Sequence, residues 1–318
     1  MKVLITGGAG FIGSNLVSEL LNTSSIELVR VIDDLSNGSI DNVSGFLDNP
    51  KFEFIHDSIA NYDICLKVTK GVDKVCHQAA MGSIPRSIAD PISVSRTNIT
   101  GSLNLMHAAV LNKVDRFVFA SSSSVYGDDR SSIKVESNLG MPLNPYAATK
   151  ATAESFARVF NIAYKMDFIG LRYFNVFGPK QKMDSPYSAV IPNFCKAFLN
   201  NIPPIIFGDG ETKRDFTYIN NVVEANKIAL MSHDQKILNN FYNIGCGSPI
   251  SLNKVIETLR EISGKDIQPT YQSERVNDVR HSQADILKAT NVLGYKPAVD
   301  FKEGLETTFN WYKENYKL

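Results

Sequence analysis

The stretch "MKVLITGGAGFIGSN", residues 1–15, joins an apolar run to three glycines and the opening of an amphipathic pattern. Val3, Leu4 and Ile5 read as a strand buried on both faces, the mark of a parallel sheet. Gly7, Gly10 and Gly13 form G-x-x-G-x-x-G where that strand turns into a helix. Glycines at this spacing permit the tight turn, let the backbone approach a pyrophosphate, and let the helix pack closely on the sheet. Amides at the helix N-terminus then meet the phosphate charge. Asp33 closes the next strand-like run, "LVRVIDD", 20 residues beyond Gly13. A carboxylate there accepts from ribose hydroxyls and repels a 2′-phosphate, so the spacing points to NAD rather than NADP.

Working outward, "KFEFIHDS", "DKVCHQAA", "DRFVFASS" and "MDFIGLRYF" continue as strands, with helical patterns such as "VSRTNITGSLNLMHAAVLN" between them. Strands alternating with long helices predict βαβ units. Beyond about residue 180 the rhythm breaks into shorter elements separated by Pro and Gly. The expected fold is α/β: a Rossmann-like, doubly wound parallel sheet with a smaller interleaved α/β substrate-binding lobe. Residues 1–180 supply the first lobe, residues from about 215–250 contribute to it again, and 181–318 form most of the second. The final 15 or so residues read as a closing helix.

Bulk composition narrows the classes. The chain has 318 residues, with 33 basic residues balancing 33 acidic ones and no basic run, so a nucleic-acid role has no electrostatic footprint. No apolar run approaches the roughly 18 residues of a membrane span. Cys65, Cys76, Cys195 and Cys246 lie far apart without CxxC spacing, and the five histidines are scattered. That is neither a disulfide framework nor a metal site, and a reducing cytoplasm is the expected location.

The chemistry gathers in two stretches. "NPYAATKATAE" places Tyr146 and Lys150 four apart, on one face of a helix. "FASSSSVYG" ends a strand with Ser121, Ser122, Ser123 and Ser124. A free phenol titrates near 10 and is a poor base at neutral pH. A nearby ammonium and a cationic nicotinamide ring both favour phenolate, and a serine hydroxyl bridges phenol and substrate oxygen.

Taken together, "GGAGFIG", "SSSSVYG", "YAATK" and "LRYFNVFGP" strongly resemble the extended short-chain dehydrogenase/reductase family, and more narrowly its nucleotide-sugar 4-epimerases. The resemblance runs through essentially the whole chain, since "GDGETKRDFTYI" and "DVRHSQADILKATNVLGYKP" match the second lobe. It implies Ser122 as the catalytic serine, with Ser123 and Ser124 as neighbouring alternatives, Tyr146 as base, and Lys150 as holder of the nicotinamide ribose. It also implies a cofactor lining of Gly7, Gly10, Phe11, Ile12, Gly13, Asp33, Gln78, Ala79, Ala80, Asn98, Ser121 and Tyr173. Where the family often carries Asp-Ile against adenine, this chain has Ser58 and Ile59, with Asp57 as a substitute.

For a UDP-sugar, the resemblance implies Arg214 and Arg275 on the diphosphate, Asn175 beside them, Phe207 and Val190 in the nucleotide pocket, and Asp278 on the ribose. Paired guanidiniums suit the planar oxygens of a diphosphate. Around the hexose it implies Gly82, Ser83, Gln181, Ala189 and Ser282. A bulky residue at the position of Ser282 restricts family members to glucose and galactose, while a small one admits an N-acetyl group. The implied reaction is NAD-dependent interconversion of UDP-N-acetylglucosamine and UDP-N-acetylgalactosamine through a 4-keto sugar, in a homodimer. The helices proposed for the dimer fall at about 92–112 and 146–165. Three alternatives stand beside it. Arg86 suits a UDP-uronic acid 4-epimerase. A 4,6-dehydratase needs a carboxylate near the serine, and none follows Ser122 before Asp128. A non-catalytic NAD sensor typically loses the tyrosine or lysine, both present here.

Overall fold

The computed structural model describes residues 1–184, 188–274 and 280–316. Its principal sheet contains β1 (Lys2–Thr6), β2 (Leu28–Asp33), β3 (Phe52–His56), β4 (Lys74–His77), β5 (Arg116–Ser122), β7 (Phe168–Tyr173) and β12 (Asn240–Ile244). Short strands complete the set: β6 (Ile133–Lys134), β8 (Val176–Phe177), β9 (Ile205–Phe207), β10 (Lys213–Arg214), β11 (Thr217–Tyr218), β13 (Ile250–Ser251), β14 (Thr270–Gln272) and β15 (His281–Ala284). The helices are α1 (Phe11–Leu21), α2 (Tyr62–Thr69), α3 (Ile84–Ala89), α4 (Pro91–Ser95), α5 (Ser102–Leu111), α6 (Pro145–Tyr164), α7 (Val190–Leu199), α8 (Ile219–Met231), α9 (Leu252–Ser263) and α10 (Phe301–Asn315).

The large sheet is parallel throughout, in the order β12-β7-β5-β4-β1-β2-β3. Val3, Leu4 and Ile5 are fully buried because helices cover both faces, which explains the unbroken apolar run. The chain winds outward from β1 to β3, then returns to place β4 on the other side of β1. That reversal opens a crevice at the carboxyl ends of β1 and β4, where Thr6 pairs with both Ile32 and His77. The doubly wound sheet matches the sequence reading. Its last strand, β12, comes from the second half of the chain.

A second, four-stranded sheet runs β13-β10-β15-β6 and carries part of the smaller lobe. Asp215 anchors it. Its buried carboxylate accepts from the backbone amides of Cys246 (2.7 Å), Gly247 (2.9 Å) and Ala284 (3.0 Å), tying the end of β12 to β15. The helix expected over 92–112 is interrupted by a wider π turn at Arg96–Gly101, between α4 and α5. Such a turn is common near functional sites. No described helix is long and apolar enough to cross a membrane, and the four cysteines are unpaired.

Candidate active site

The crevice is built from the glycine turn upward. Gly7 has φ +68°, and a Cβ there would stand 2.7 Å from the Ala79 backbone. A Cβ on Gly13 would run into the Gly7 carbonyl. Only glycine lets β1, the 78–80 segment and α1 approach so closely. α1 begins after Gly10 with no side-chain cap, so no protein side chain competes for that helix N-terminus. Asp33, at the tip of β2, accepts from Ala9 N and Leu35 N, each at 2.9 Å. Burial pushes its carboxyl up, while the amide bonds hold it down.

One cavity is lined by Gly7, Gly10, Phe11, Ile12, Gly13, Asp33, Asp57, Ser58, Ile59, Gln78, Ala79, Ala80, Gly82, Ser121, Tyr146, Lys150 and Tyr173. The expected cofactor residues therefore converge, with one exception. Asn98 stands behind the wall: its amide is engaged by Met81 N (2.8 Å), Met81 O (3.2 Å) and Thr149 Oγ1 (3.1 Å). Asn98 thus ties the cavity loop to α6. Behind it, His77 is buried between Thr6 Oγ1 (2.7 Å) and Ser102 Oγ (2.8 Å), and burial lowers it to about 3, keeping it neutral. Sequence reasoning missed Asp34, Ser36, Asn37, Gly38 and Thr97 on the same wall. The "DLSNG" run after Asp33 reads only as a loop.

Asn144 caps α6 by accepting from Ala147 N at 2.9 Å, which sets Tyr146 in the first turn facing the end of β5. The Ser122 hydroxyl acts on the Tyr146 phenol, lowering its pKa against the effect of burial. Ser122 Oγ also accepts from Ser124 N and donates to Ser124 Oγ, both at 3.1 Å, holding the serine turn. Of the four serines only Ser121 lines the cavity; Ser122, Ser123 and Ser124 do not. Lys150 Nζ donates to the Ala120 carbonyl at 2.8 Å and lies 5.9 Å from the Tyr146 ring centroid. Burial lowers Lys150 to about 8, opposed by Glu154. Burial raises the Tyr146 phenol, and the Ser122 hydroxyl opposes that rise. The Lys150 ammonium thus lies between the β5 backbone and the Tyr146 ring.

Beneath this pair lies a network absent from the sequence reading. Glu154, two turns along α6 from Tyr146, accepts from Ser121 Oγ (2.5 Å) and from Arg172 Nε (2.9 Å) and Nη2 (2.7 Å). Arg172 is wholly buried and reaches Tyr126 as well.

A second cavity of about 760 Å³ adjoins the smaller lobe and is lined by Asn175, Gln181, Ala189, Val190, Phe207 and Arg214 among others. Ser282 lies outside its lining but is the register partner of Arg214. Ser83, beside Gly82, adopts φ +86° and caps α3 through Arg86 N. Arg275 and Asp278 lie outside the described residues. The apolar wall from Ile202 to Ile205 was missed; "NIPPIIFG" carries it.

An uncapped helix N-terminus after a glycine turn, an acid at the next strand tip and a Ser-Tyr-Lys set define a dinucleotide-dependent enzyme of the Rossmann type. A family model described as the NAD dependent epimerase/dehydratase family matches residues 3–245. The chain is 35% identical over 315 residues to a putative UDP-glucose 4-epimerase of Methanocaldococcus jannaschii, covering 98% of this chain and 99% of that protein. Two solved structures share the whole fold. The UDP-N-acetylglucosamine 4-epimerase of Methanobrevibacter ruminantium M1, in complex with UDP-N-acetylmuramic acid, is 38% identical with TM-score 0.91, covering 98% of each chain. The UDP-glucuronic acid 4-epimerase of Bacillus cereus, with UDP-glucuronic acid and NAD, is 34% identical with TM-score 0.92, covering 99% of this chain and 100% of that one.

The chain belongs to the NAD dependent epimerase/dehydratase family. It is an NAD-using isomerase, a 4-epimerase of UDP-sugars.

Proposed function

We propose that this enzyme interconverts UDP-N-acetylglucosamine and UDP-N-acetylgalactosamine. The observation that carries this reading is the small side chain of Ser282 on the same strand pair as Arg214, which lines the second cavity. Ala189 lines that cavity too, and a Cβ on Gly82, in the cofactor cavity, would meet nothing within 4 Å. Small residues at the positions the resemblance assigns to the hexose leave volume for an acetamido group at C2.

In this reading residues 1–180 chiefly hold NAD and 181–318 chiefly hold the UDP-sugar. Arg214 and Asn175 anchor the diphosphate, Phe207 and Val190 flank the nucleotide, and Gln181 faces the sugar side. Arg275 and Asp278 belong to the same set by resemblance. NAD, when bound, supplies the reversible oxidation at C4 and a positive charge that favours the Tyr146 phenolate. Tyr146 takes the proton from O4 and later returns one, Ser122 aligns it, and Lys150 holds the ribose. The 4-keto sugar turns over between the half-reactions, so the diphosphate is gripped while the hexose wall stays loose. Asp33 selects NAD by repelling a 2′-phosphate.

A UDP-uronic acid is the second reading, favoured by the likeness to the Bacillus cereus enzyme. Arg86, the residue suited to its carboxylate, lines neither cavity, and neither does Ser282. The acetylated reading rests on the small side chain at 282 beside Arg214. We further propose a homodimer through α3, α4 and α6, which pack on one another and leave Ile88, Ile92, Val159 and Ile162 exposed.

The test is incubation of the purified protein, without added NAD, with UDP-N-acetylglucosamine, UDP-N-acetylgalactosamine, UDP-glucose, UDP-galactose and UDP-glucuronate, followed by chromatography. The acetylated pair is expected to equilibrate fastest. Turnover of the uronate alone would overturn the reading.

A further inference from the structure

Three side chains from three separate elements close a ring of hydrogen bonds at the floor of the cofactor cavity. Gln78 follows β4, Tyr173 ends β7, and Asn226 lies within α8. Gln78 Nε2 donates to Asn226 Oδ1 at 3.0 Å. Asn226 Nδ2 donates to the Tyr173 hydroxyl at 2.8 Å. The Tyr173 hydroxyl donates to Gln78 Oε1 at 3.1 Å. The second Asn226 amide proton goes to the Val222 carbonyl at 2.8 Å. The Cys76 thiol reaches Asn226 Oδ1 at 3.5 Å and accepts from Gln78 Nε2 at 3.3 Å. Asn226 Oδ1, also 3.1 Å away, is a second acceptor for the Tyr173 hydroxyl proton.

Gln78 and Tyr173 line the cavity, whereas Asn226 is wholly buried and does not. Its neighbours on α8 are aliphatic: Val222, Val223, Ala225, Ala229 and Leu230 are all buried. A polar amide at such a position costs free energy unless its partners satisfy it. An aliphatic residue would pack there without that demand. The partners Asn226 satisfies are two of the groups facing the cofactor.

We infer that Asn226 is a positioning residue for NAD, fixing Gln78 and Tyr173 in one arrangement beside Tyr146. This rests on the reading that NAD occupies the cavity with its reacting end at Tyr146. With the ring closed, Gln78 and Tyr173 turn their polar atoms on each other and present a neutral floor of fixed shape. The ring also occupies the proton of the second phenol in the cavity. Burial raises Tyr173 further, so Tyr146 alone serves as base.

The test compares wild type with Asn226→Leu and Tyr173→Phe by titrating protein stripped of dinucleotide separately with NAD and with UDP. Asn226→Leu is expected to weaken NAD binding about tenfold, the effect of losing one buried hydrogen bond, with UDP binding unchanged. Tyr173→Phe opens the ring while keeping its volume, and is expected to weaken NAD binding in the same direction. Should Asn226→Leu fail to fold, Tyr173→Phe carries the test alone. The double variant is expected to be no weaker than Asn226→Leu. A merely structural asparagine would weaken both ligands or neither, and either result overturns the inference. A wild type that binds UDP but no NAD overturns the cavity reading and the inference with it. A wild type that binds NAD no better than Asn226→Leu and Tyr173→Phe overturns the inference alone.

Discussion

Arg214 and Ser282 are direct register partners on the parallel strands β10 and β15. Partnered residues project to the same face of a sheet, so Arg214 and Ser282, proposed above for the diphosphate and the hexose, share one surface although 68 residues separate them. Asp215 fixes that surface by accepting from Ala284 N at one end of β15.

A large side chain at the serine position must therefore intrude where the sugar hangs from its diphosphate. Ser282→Tyr is expected to lower turnover of the acetylated pair on the order of a hundredfold and to leave UDP-glucose within a few-fold, by chromatographic assay. Equal loss of both refutes the small-wall argument.

Ser122, at the end of β5, faces Tyr146, at the start of α6, and lowers its phenol pKa. Tyr146→Phe removes the base and keeps the ring. Single-turnover assays should show a loss of roughly 10²- to 10⁴-fold with bound NAD retained. Ser122→Ala should lose less than Tyr146→Phe, because Tyr146 keeps its own oxygen.

Lys150 makes opposite demands on activity and stability. Burial lowers it to about 8, so kcat/KM should fall as the pH rises through about 8, and Lys150→Arg should shift that limb upward. In the ligand-free fold the sign reverses. Between about 8 and the ordinary 10.5 the unfolded chain binds the proton that the folded chain has released. Stability therefore rises with pH across that window. Denaturant melts should show wild type gaining on Lys150→Met over the same range; a flat difference refutes the depressed lysine.

Glu154 neutralises the fully buried Arg172. Glu154→Ala strands that guanidinium, and urea unfolding should report a loss of about 3–5 kcal/mol. A loss below 1 kcal/mol would show that water reaches Arg172.

Ile92 is 78% exposed and Ile162 is 73% exposed. Introducing Ile92→Glu and Ile162→Glu together should convert the proposed dimer to monomer in sedimentation analysis. An unchanged sedimentation coefficient places the interface elsewhere.

Residues near in sequence were readable in advance. The Gly7–Gly13 turn, Asp33 at the following strand tip, and Tyr146 with Lys150 on one helical turn all depend on backbone geometry spanning a few residues, or on one βαβ unit. Their residue types record that geometry directly. The π turn at 96–101 escaped the reading because "RTNITG" carries no helix breaker beyond its final glycine.

From the amino-acid order alone came the parallel sheet, the glycine cradle, the preference for NAD and the helix that carries both Tyr146 and Lys150. Tertiary structure decided which distant groups meet: Asn226 with Gln78 and Tyr173, Glu154 with Arg172, and Arg214 with Ser282. It also placed the Lys150 ammonium on the Ala120 carbonyl, 5.9 Å from the Tyr146 ring centroid. The physical reason is that a hydrogen bond or strand pairing between distant residues leaves no periodicity along the chain. It exists only once burial has excluded water and left each polar group to find its partner within the fold.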